Sequence, residues 1–170
     1  MPLSMYQSSI PLFIKTLTNL KAILEKGAAH AQAKKIDDAV FLQSRLYPDM
    51  LPLTAQVQIA ADMARGCVDR LTASEPASWE DNEKTFAELI ARLDRTIAHL
   101  KSFDEKRLDG AETRSVTRKL RGQPKTFTGV NYLQQFVLPN LFFHATTTYA
   151  ILRHNGVELG KLDFLGKPNS

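Results

Sequence analysis

The sequence predicts an all-α fold, a four-helix bundle with a short β-hairpin or a long loop between the third and fourth helices. Four long segments carry apolar residues at steps of three and four, the spacing of one face of a helix. Between the last two of them, residues 109–129 lack this period and look β-prone. With 170 residues, of which 44% are hydrophobic, the chain suits a single domain, 1–170, with its own core.

The first two predicted helices span about residues 3–31 and 52–73. In the first, Pro11 lies inside the apolar stripe, so the helix either begins there or is kinked there. In the second, Pro52 fits a position in the first turn. The apolar stripe of the second helix consists of Val57, Ala60, Ala64, Cys67, Val68 and Leu71.

The third and fourth predicted helices span about residues 79–103 and 130–154. Ser78 followed by Asp81 resembles a capping box, which places the start of the third helix directly after Ser78. Pro139 removes one backbone hydrogen bond and is expected to bend the fourth helix. The stripe of the fourth helix consists of Leu133, Val137, Leu141, Thr148 and Ile151.

Turn and strand signals mark the connection and the end of the fourth helix. The triplets 115–117 and 126–128 are β-prone, and residues 121–124 are turn-like, so we predict a short hairpin there. The Asn155-Gly156 pair is a strong signal for the end of a helix.

The composition excludes several classes of protein. A single cysteine, Cys67, rules out a disulfide framework and a cysteine-based zinc site, and its place on an apolar stripe indicates a small buried hydrophobe. No apolar run approaches the roughly 20 residues that cross a bilayer, and no basic region precedes the first apolar run. We therefore expect a cytoplasmic protein that does not associate with a membrane. The net charge of +4 is a mild surplus, so nucleic acid is not an expected partner.

The informative positions are polar residues whose helical phase points them toward the core. Val137 and Thr148 fall within about 40° of His144 when each residue advances the helix by about 100°. Asn140 lies on the same side one turn earlier. A buried imidazole needs hydrogen-bond partners, which these neighbours can supply in a purely structural core. The alternative is a metal ligand or a general base that faces a cavity in the bundle.

Gln56 falls on the buried stripe of the second helix, and Asp49 lies seven residues earlier. Asp49 shares that face if the helix begins early, and otherwise it caps the helix. These residues form with His144 either a polar interior pocket or a core hydrogen-bond network. In the catalytic hypothesis, His144 is the base or the sole imidazole ligand, and Asp49 orients it or a water. The candidate ligand-binding residues are Gln56, Asn140, Thr148 and Tyr6, whose hydroxyl reaches the pocket or its rim.

Other titratable residues favour simpler roles. Asp62 shares its helical phase with Gln58, Arg65 and Asp69, so we expect Asp62 to face solvent. His99 flanks the apolar stripe of the third helix and is expected at the surface. His154 lies at the end of the fourth helix, where it meets the helix dipole favourably.

Five segments spread over nearly the whole chain carry a resemblance to known proteins. They are Arg45-Leu46-Tyr47-Pro48-Asp49-Met50, Gln56-Val57-Gln58-Ile59-Ala60, Leu138-Pro139-Asn140-Leu141-Phe142-Phe143-His144, Leu152-Arg153-His154-Asn155-Gly156 and Gly160-Lys161-Leu162-Asp163-Phe164-Leu165-Gly166. Together they resemble a family of bacterial and fungal proteins with a domain of unknown function. That family is similar to the DinB-like (YfiT-like) superfamily of metalloenzyme bundles.

The resemblance implies a four-helix bundle that is a homodimer. Many members bind a divalent metal through one histidine on the second helix and an H-x-x-x-H pair on the last, and some use it in thiol-dependent transfer or hydrolysis. Here His144 matches one histidine of that pair, but Thr147 and Thr148 stand three and four residues further on. The second helix offers Gln56 or Asp49 and no histidine. One imidazole with weak oxygen ligands binds Zn or Ni poorly. The resemblance therefore implies a degenerate metal site. The alternative is a dimer without metal that binds a small molecule or has a structural role.

Overall fold

The computed structural model describes residues 3–74, 76 and 78–166. The described chain is mostly helical and has one small antiparallel sheet. In chain order, its elements are α1 (Ile10–Lys34), α2 (Asp38–Leu42), α3 (Leu53–Leu71), α4 (Phe86–Lys101), a 3₁₀ helix (Glu105–Leu108), β1 (Ser115–Leu120), β2 (Gln123–Thr128), α5 (Gly129–Asn131), a π-helical segment (Tyr132–Val137), α6 (Leu138–His154) and α7 (Lys161–Leu165).

The four long helices share one hydrophobic core. Helix α3 packs against α4 and α6, and α1 packs against the same two helices from the other side. The predicted stripes supply this core, because the six stripe residues of α3 and the five of the last helix are all buried. None of the helices in the described ranges has both the length and the apolar character needed to cross a bilayer.

Two prolines lie at the starts of the helices α1 and α3. Helix α1 begins at Ile10 with Pro11 in its first turn, which confirms the first of the two predicted alternatives. The hydroxyl of Ser9 donates to the Met5 carbonyl one turn earlier, which fixes the entry of the chain into the helix. Helix α3 begins at Leu53, directly after Pro52.

The predicted start of α4 is wrong. The helix begins at Phe86, and its capping box consists of Thr85 and Glu88. The Thr85 hydroxyl accepts from the Glu88 N–H at 3.2 Å, and the Glu88 carboxylate accepts from the Thr85 N–H at 3.0 Å. The residues from Ser78 onward instead form an extended loop that crosses the face of α3 and α4.

The last long helix is continuous from residue 129 to residue 154, but it is not uniform. Its π-helical segment ends two residues before Pro139, at the point where the sequence predicts a bend. The helix ends at His154, and Gly156 has a φ of +91°, as the Asn155-Gly156 signal predicts.

The predicted hairpin is confirmed. Ser115 pairs with Thr128 and Leu120 with Gln123, which leaves a two-residue turn. Both turn residues are left-handed, with φ of +48° at Arg121 and +83° at Gly122, as the tightest hairpins require.

Candidate functional site

A hydrogen bond between His144 and Gln56 joins α6 to α3. The ring Nδ1 of His144 lies 2.7 Å from Gln56 Oε1. The amide Nε2 of Gln56 donates to the Leu51 carbonyl at 3.0 Å, so the loop before α3 also takes part. Gln56 is only 1% exposed and His144 is half-buried. The two polar positions that the helical phase singles out are therefore direct partners.

The bonding of Gln56 determines the tautomer of His144. A backbone carbonyl only accepts, so the contact with the Leu51 carbonyl fixes which end of the Gln56 amide is NH₂. Gln56 Oε1 then faces the imidazole and accepts from it, so Nδ1 of neutral His144 carries the proton. The lone pair of His144 is left on Nε2, which has no hydrogen-bond partner among the described residues.

Burial lowers the pKa of His144 below its ordinary value of 6.5. The ring is therefore neutral at pH 7, with Nε2 ready to accept a proton or a hydrogen bond. Because the folded pKa lies below 6.5, protonation of His144 favours the unfolded chain. The contribution of neutral His144 to the free energy of unfolding is therefore fully present above pH 6.5. It is lost as the pH falls through the folded pKa.

We predict that ¹⁵N NMR of His144 shows a protonated Nδ1, an unprotonated Nε2 and a titration midpoint below 6.5. Gln56→Leu removes the acceptor, so the Nδ1–H form should lose its preference and the two ring nitrogens should exchange roles. A midpoint at or above 6.5, or the same tautomer in Gln56→Leu, would contradict this account.

Two further predicted site residues lie on the same helix but bind their own backbone. The Thr148 hydroxyl donates to the His144 carbonyl at 2.9 Å and is fully buried. The Asn140 amide donates to the Phe136 carbonyl at 2.6 Å. Both side chains therefore support the helix around His144, and neither is directed at a ligand in this structure.

Asp49 and Tyr6 are not brought to the imidazole. Asp49 is exposed in the turn before α3 and forms no hydrogen bond or ion pair with any residue that the structure describes. Its predicted role as a helix cap is wrong, because Pro52 occupies the N-cap position of α3. Tyr6 lines a separate groove with Ile10 and Pro11. Gln56 instead of Asp49 orients His144.

The donors around His144 do not fit a zinc or nickel ion. Three protein ligands are normally needed, and no cluster of three His, Cys, Asp or Glu side chains able to hold a metal occurs in the described part of the chain. Both polar ends of Gln56 are already bonded, and Thr148 is tied to its helix. The remaining donor beside them is Nε2 of His144.

Exposed apolar side chains flank both members of the pair. Phe143 packs edge-on against the His144 ring at 5.3 Å between centroids and is 55% exposed. Leu51, whose carbonyl holds Gln56, is 47% exposed. The same two segments expose three more large apolar residues, namely Leu46, Tyr47 and Phe142.

The Asp62 side chain, expected to face solvent, is 37% exposed, but most of its face of α3 is covered. Arg65 and Asp69 on that face are buried, as is Arg92 of α4, and Asp62 lies 3.1 Å from Arg65 and 3.2 Å from Arg92. The indole of Trp79 covers this cluster, with its centroid 4.4 Å from the Arg65 guanidinium carbon.

This buried charged cluster is the feature that the sequence interpretation missed. His99, expected at the surface, is only partly exposed, and its Nε2 lies 2.6 Å from an Asp69 carboxylate oxygen. The available signal was the spacing of charges of opposite sign at three and four residues along α3, opposite the lone tryptophan of an acidic loop.

Comparison with solved structures defines the class of protein. The crystal structure of a DinB family member protein from Shewanella denitrificans at 1.83 Å resolution matches with a TM-score of 0.91 and 42% sequence identity. The match covers 97% of this chain and 93% of that chain. Residues 5–165 match the family described as Domain of unknown function (DUF1993), and the chain belongs to this family. Comparison with curated proteins finds no match.

Proposed function

We propose that this protein is a DinB-like four-helix bundle, one domain over residues 1–170, with an interior site at which His144 acts as a general base. The reaction class is hydrolysis or thiol transfer at a degenerate, metal-free form of the family site. The carrying observation is the bond from His144 Nδ1 to a Gln56 that is itself held by the Leu51 carbonyl. The mutual packing of α1, α3, α4 and α6 supports the bundle.

The chemistry follows from the free nitrogen. Nε2 of neutral His144 accepts the proton of a bound water or thiol, and the resulting nucleophile attacks the electrophilic atom of the substrate. As the bond to the leaving group breaks, Nε2 returns the proton to that group. Gln56 holds the ring through both steps, because its Oε1 accepts from Nδ1–H in the neutral and the protonated imidazole.

The test uses two probes: 4-nitrophenyl acetate for hydrolysis and 1-chloro-2,4-dinitrobenzene with glutathione for thiol transfer. His144→Gln keeps a hydrogen-bonding side chain but cannot act as a base, so kcat/KM should fall by at least ~100-fold. His154→Gln, at the exposed end of α6, is the matched control and should leave kcat/KM unchanged. Activity should also fall as the pH drops below the pKa of His144.

A second assay addresses the metal. Elemental analysis of protein purified without a His-tag or chelators should find zinc and nickel well below one ion per chain, because the described residues contain no group of three His, Cys, Asp or Glu side chains that could hold a metal. Stoichiometric metal that disappears in His144→Gln would overturn the metal-free mechanism. Equal activity of wild type and His144→Gln on both probes would overturn the catalytic proposal as a whole.

The second candidate function is a non-catalytic, ligand-binding or structural homodimer in the cytoplasm. Its support is the set of exposed large apolar residues beside the site, which lie before α3 and on α6, because exposed apolar patches often mark protein–protein contacts. In this alternative, the His144–Gln56 bond is part of a polar core, and the neighbouring apolar surface covers the same surface of a second copy.

We predict that Phe143→Ser shifts the protein from dimer to monomer in sedimentation velocity, because it removes a large apolar side chain from this surface. Leu162→Ser is the matched control, since Leu162 is 74% exposed on α7. A wild type that stays monomeric at about 100 μM, or a Leu162→Ser variant that dissociates equally, would remove this surface as the dimer interface.

A further inference from the structure

A second polar cleft lies at the other end of α3 from Gln56. Asp69, in the last turn of α3, lines it, and 13 residues of helix separate the two positions, or about 20 Å. The cleft has a volume of about 510 Å³, which suits a small molecule. Its walls come from α3, α4, the 3₁₀ helix and the loops that follow α3 and α4.

Two arginines in this cleft are held flat by aromatic rings. The guanidinium carbon of Arg95 lies 3.9 Å from the Trp79 centroid, and that of Arg107 lies 4.4 Å from the Phe103 centroid. Both arginines are exposed, and neither forms an ion pair with a described carboxylate. A stacked guanidinium keeps its N–H groups at its edges, where they can grip an oxyanion in bidentate fashion. The stacking also removes part of the ordering cost before a ligand arrives.

The one carboxylate among the described lining residues is already engaged. Asp69 is 3% exposed, accepts from His99 Nε2 at 2.6 Å and lies 3.8 Å from Arg65 Nη1. The lining therefore contains three guanidinium groups and one carboxylate, which gives a formal charge of +2 with His99 neutral. The negative charge of Asp69 is offset by Arg65 beside it, so the two exposed arginines supply the net positive charge of the cleft.

We propose that this cleft binds a small molecule carrying a phosphate or carboxylate group, which the edges of Arg95 and Arg107 clamp between the Trp79 and Phe103 walls. The shared chemistry is a compact oxyanion, for which preorganised guanidinium groups lining one cleft are well suited. The site is independent of the reaction proposed at His144.

Trp79 is the single tryptophan of the chain and lines this cleft, so a ligand bound in the cleft should change its fluorescence. We would titrate the full-length protein with inorganic phosphate, phenyl phosphate and phenylacetate at constant ionic strength, and repeat each titration by calorimetry. A saturable change with at least one probe is expected. The order of affinities then distinguishes a phosphate ligand from a carboxylate ligand.

Arg95→Gln and Arg107→Gln change exposed side chains and should leave the fold intact. Each should weaken binding by about tenfold, and the double variant should abolish it. Arg153→Gln is the matched control, because Arg153 is exposed on α6 and does not line the cleft. No binding of any probe below about 10 mM overturns the proposal. Equal affinity in wild type and the double variant, or equal weakening in Arg153→Gln, also overturns it.

Discussion

Replacing Arg92 by alanine should lower the free energy of unfolding at pH 7 by about 3–5 kcal/mol, as expected when one partner of a buried ion pair is removed. The Arg92 side chain is 3% exposed and lies 2.9 Å from Glu83, 2.8 Å from Asp81 and 3.2 Å from Asp62. It also donates to the Glu80 carbonyl at 3.0 Å. The variant leaves the Glu83 carboxylate, whose side chain is 10% exposed, without its closest positive charge.

The pH dependence of the free energy of unfolding tests whether the loss comes from the Arg92–Glu83 ion pair. Burial raises the pKa of Glu83, but hydrogen bonds from Arg92 and Gln58 outweigh it, so the folded pKa lies below the ordinary value of 4.5. In wild type, this stabilisation is present above pH 4.5 and is lost as the pH falls through the folded pKa. Without Arg92, burial favours the neutral acid. The difference between wild type and Arg92→Ala should therefore narrow as the pH falls from 7 to 4.

Urea unfolding followed by circular dichroism at both pH values measures this effect. Arg95→Ala is the control on the same helix, since Arg95 is exposed, stacks on the Trp79 ring and forms no ion pair with a described carboxylate. It should cost about 1 kcal/mol or less, as a surface cation–π contact does. If Arg92→Ala lowers the free energy of unfolding by less than 1 kcal/mol, or by an amount independent of pH, the ion pairs of Arg92 do not stabilise the folded protein as proposed.

The helices were predictable because each must bury one face, and burial imposes a period on the sequence. Their ends were harder, as α4 shows. Thr85 with Glu88 matches the capping box, whereas Ser78 with Asp81 has an aspartate in place of the usual glutamate or glutamine. Tertiary contacts favour the same later start. The loop must stay extended to place Asp81 and Glu83 on the buried Arg92, and no local pattern contains that requirement.

The candidate site was partly predictable for the same reason. Helical phase places His144 and Gln56 on buried faces, but it does not specify which residues lie at the same level along two packed helices. The hydrogen bond between them is therefore a finding of the structure. On the face of α3 around Asp62, helical phase predicts exposure where the structure shows burial. A polar stripe is normally a solvated face, and here a loop from outside the helix covers it with Trp79.

Gly129→Ala should destabilise the protein by about 3 kcal/mol, at the upper end of the usual cost of overpacking. A Cβ at Gly129 would lie 1.8 Å from the Ala111 carbonyl oxygen and 3.1 Å from a methyl group of Leu71. The first neighbour is backbone, so it cannot move aside as a flexible side chain does. The adjacent hydrogen bond from the Val130 N–H to the Glu112 carbonyl, 3.0 Å long, holds the same two chain segments together.

Gly160→Ala is the matched control for this prediction. An added Cβ there meets nothing within 4 Å, and the backbone φ of −128° suits any residue. Its free energy of unfolding should stay within about 0.5 kcal/mol of wild type, as for most surface substitutions. Because Gly129 lies where β2 meets the last long helix, Gly129→Ala should also speed proteolysis within the hairpin. Equal midpoints for the two variants would mean that the approach to Ala111 relaxes without cost.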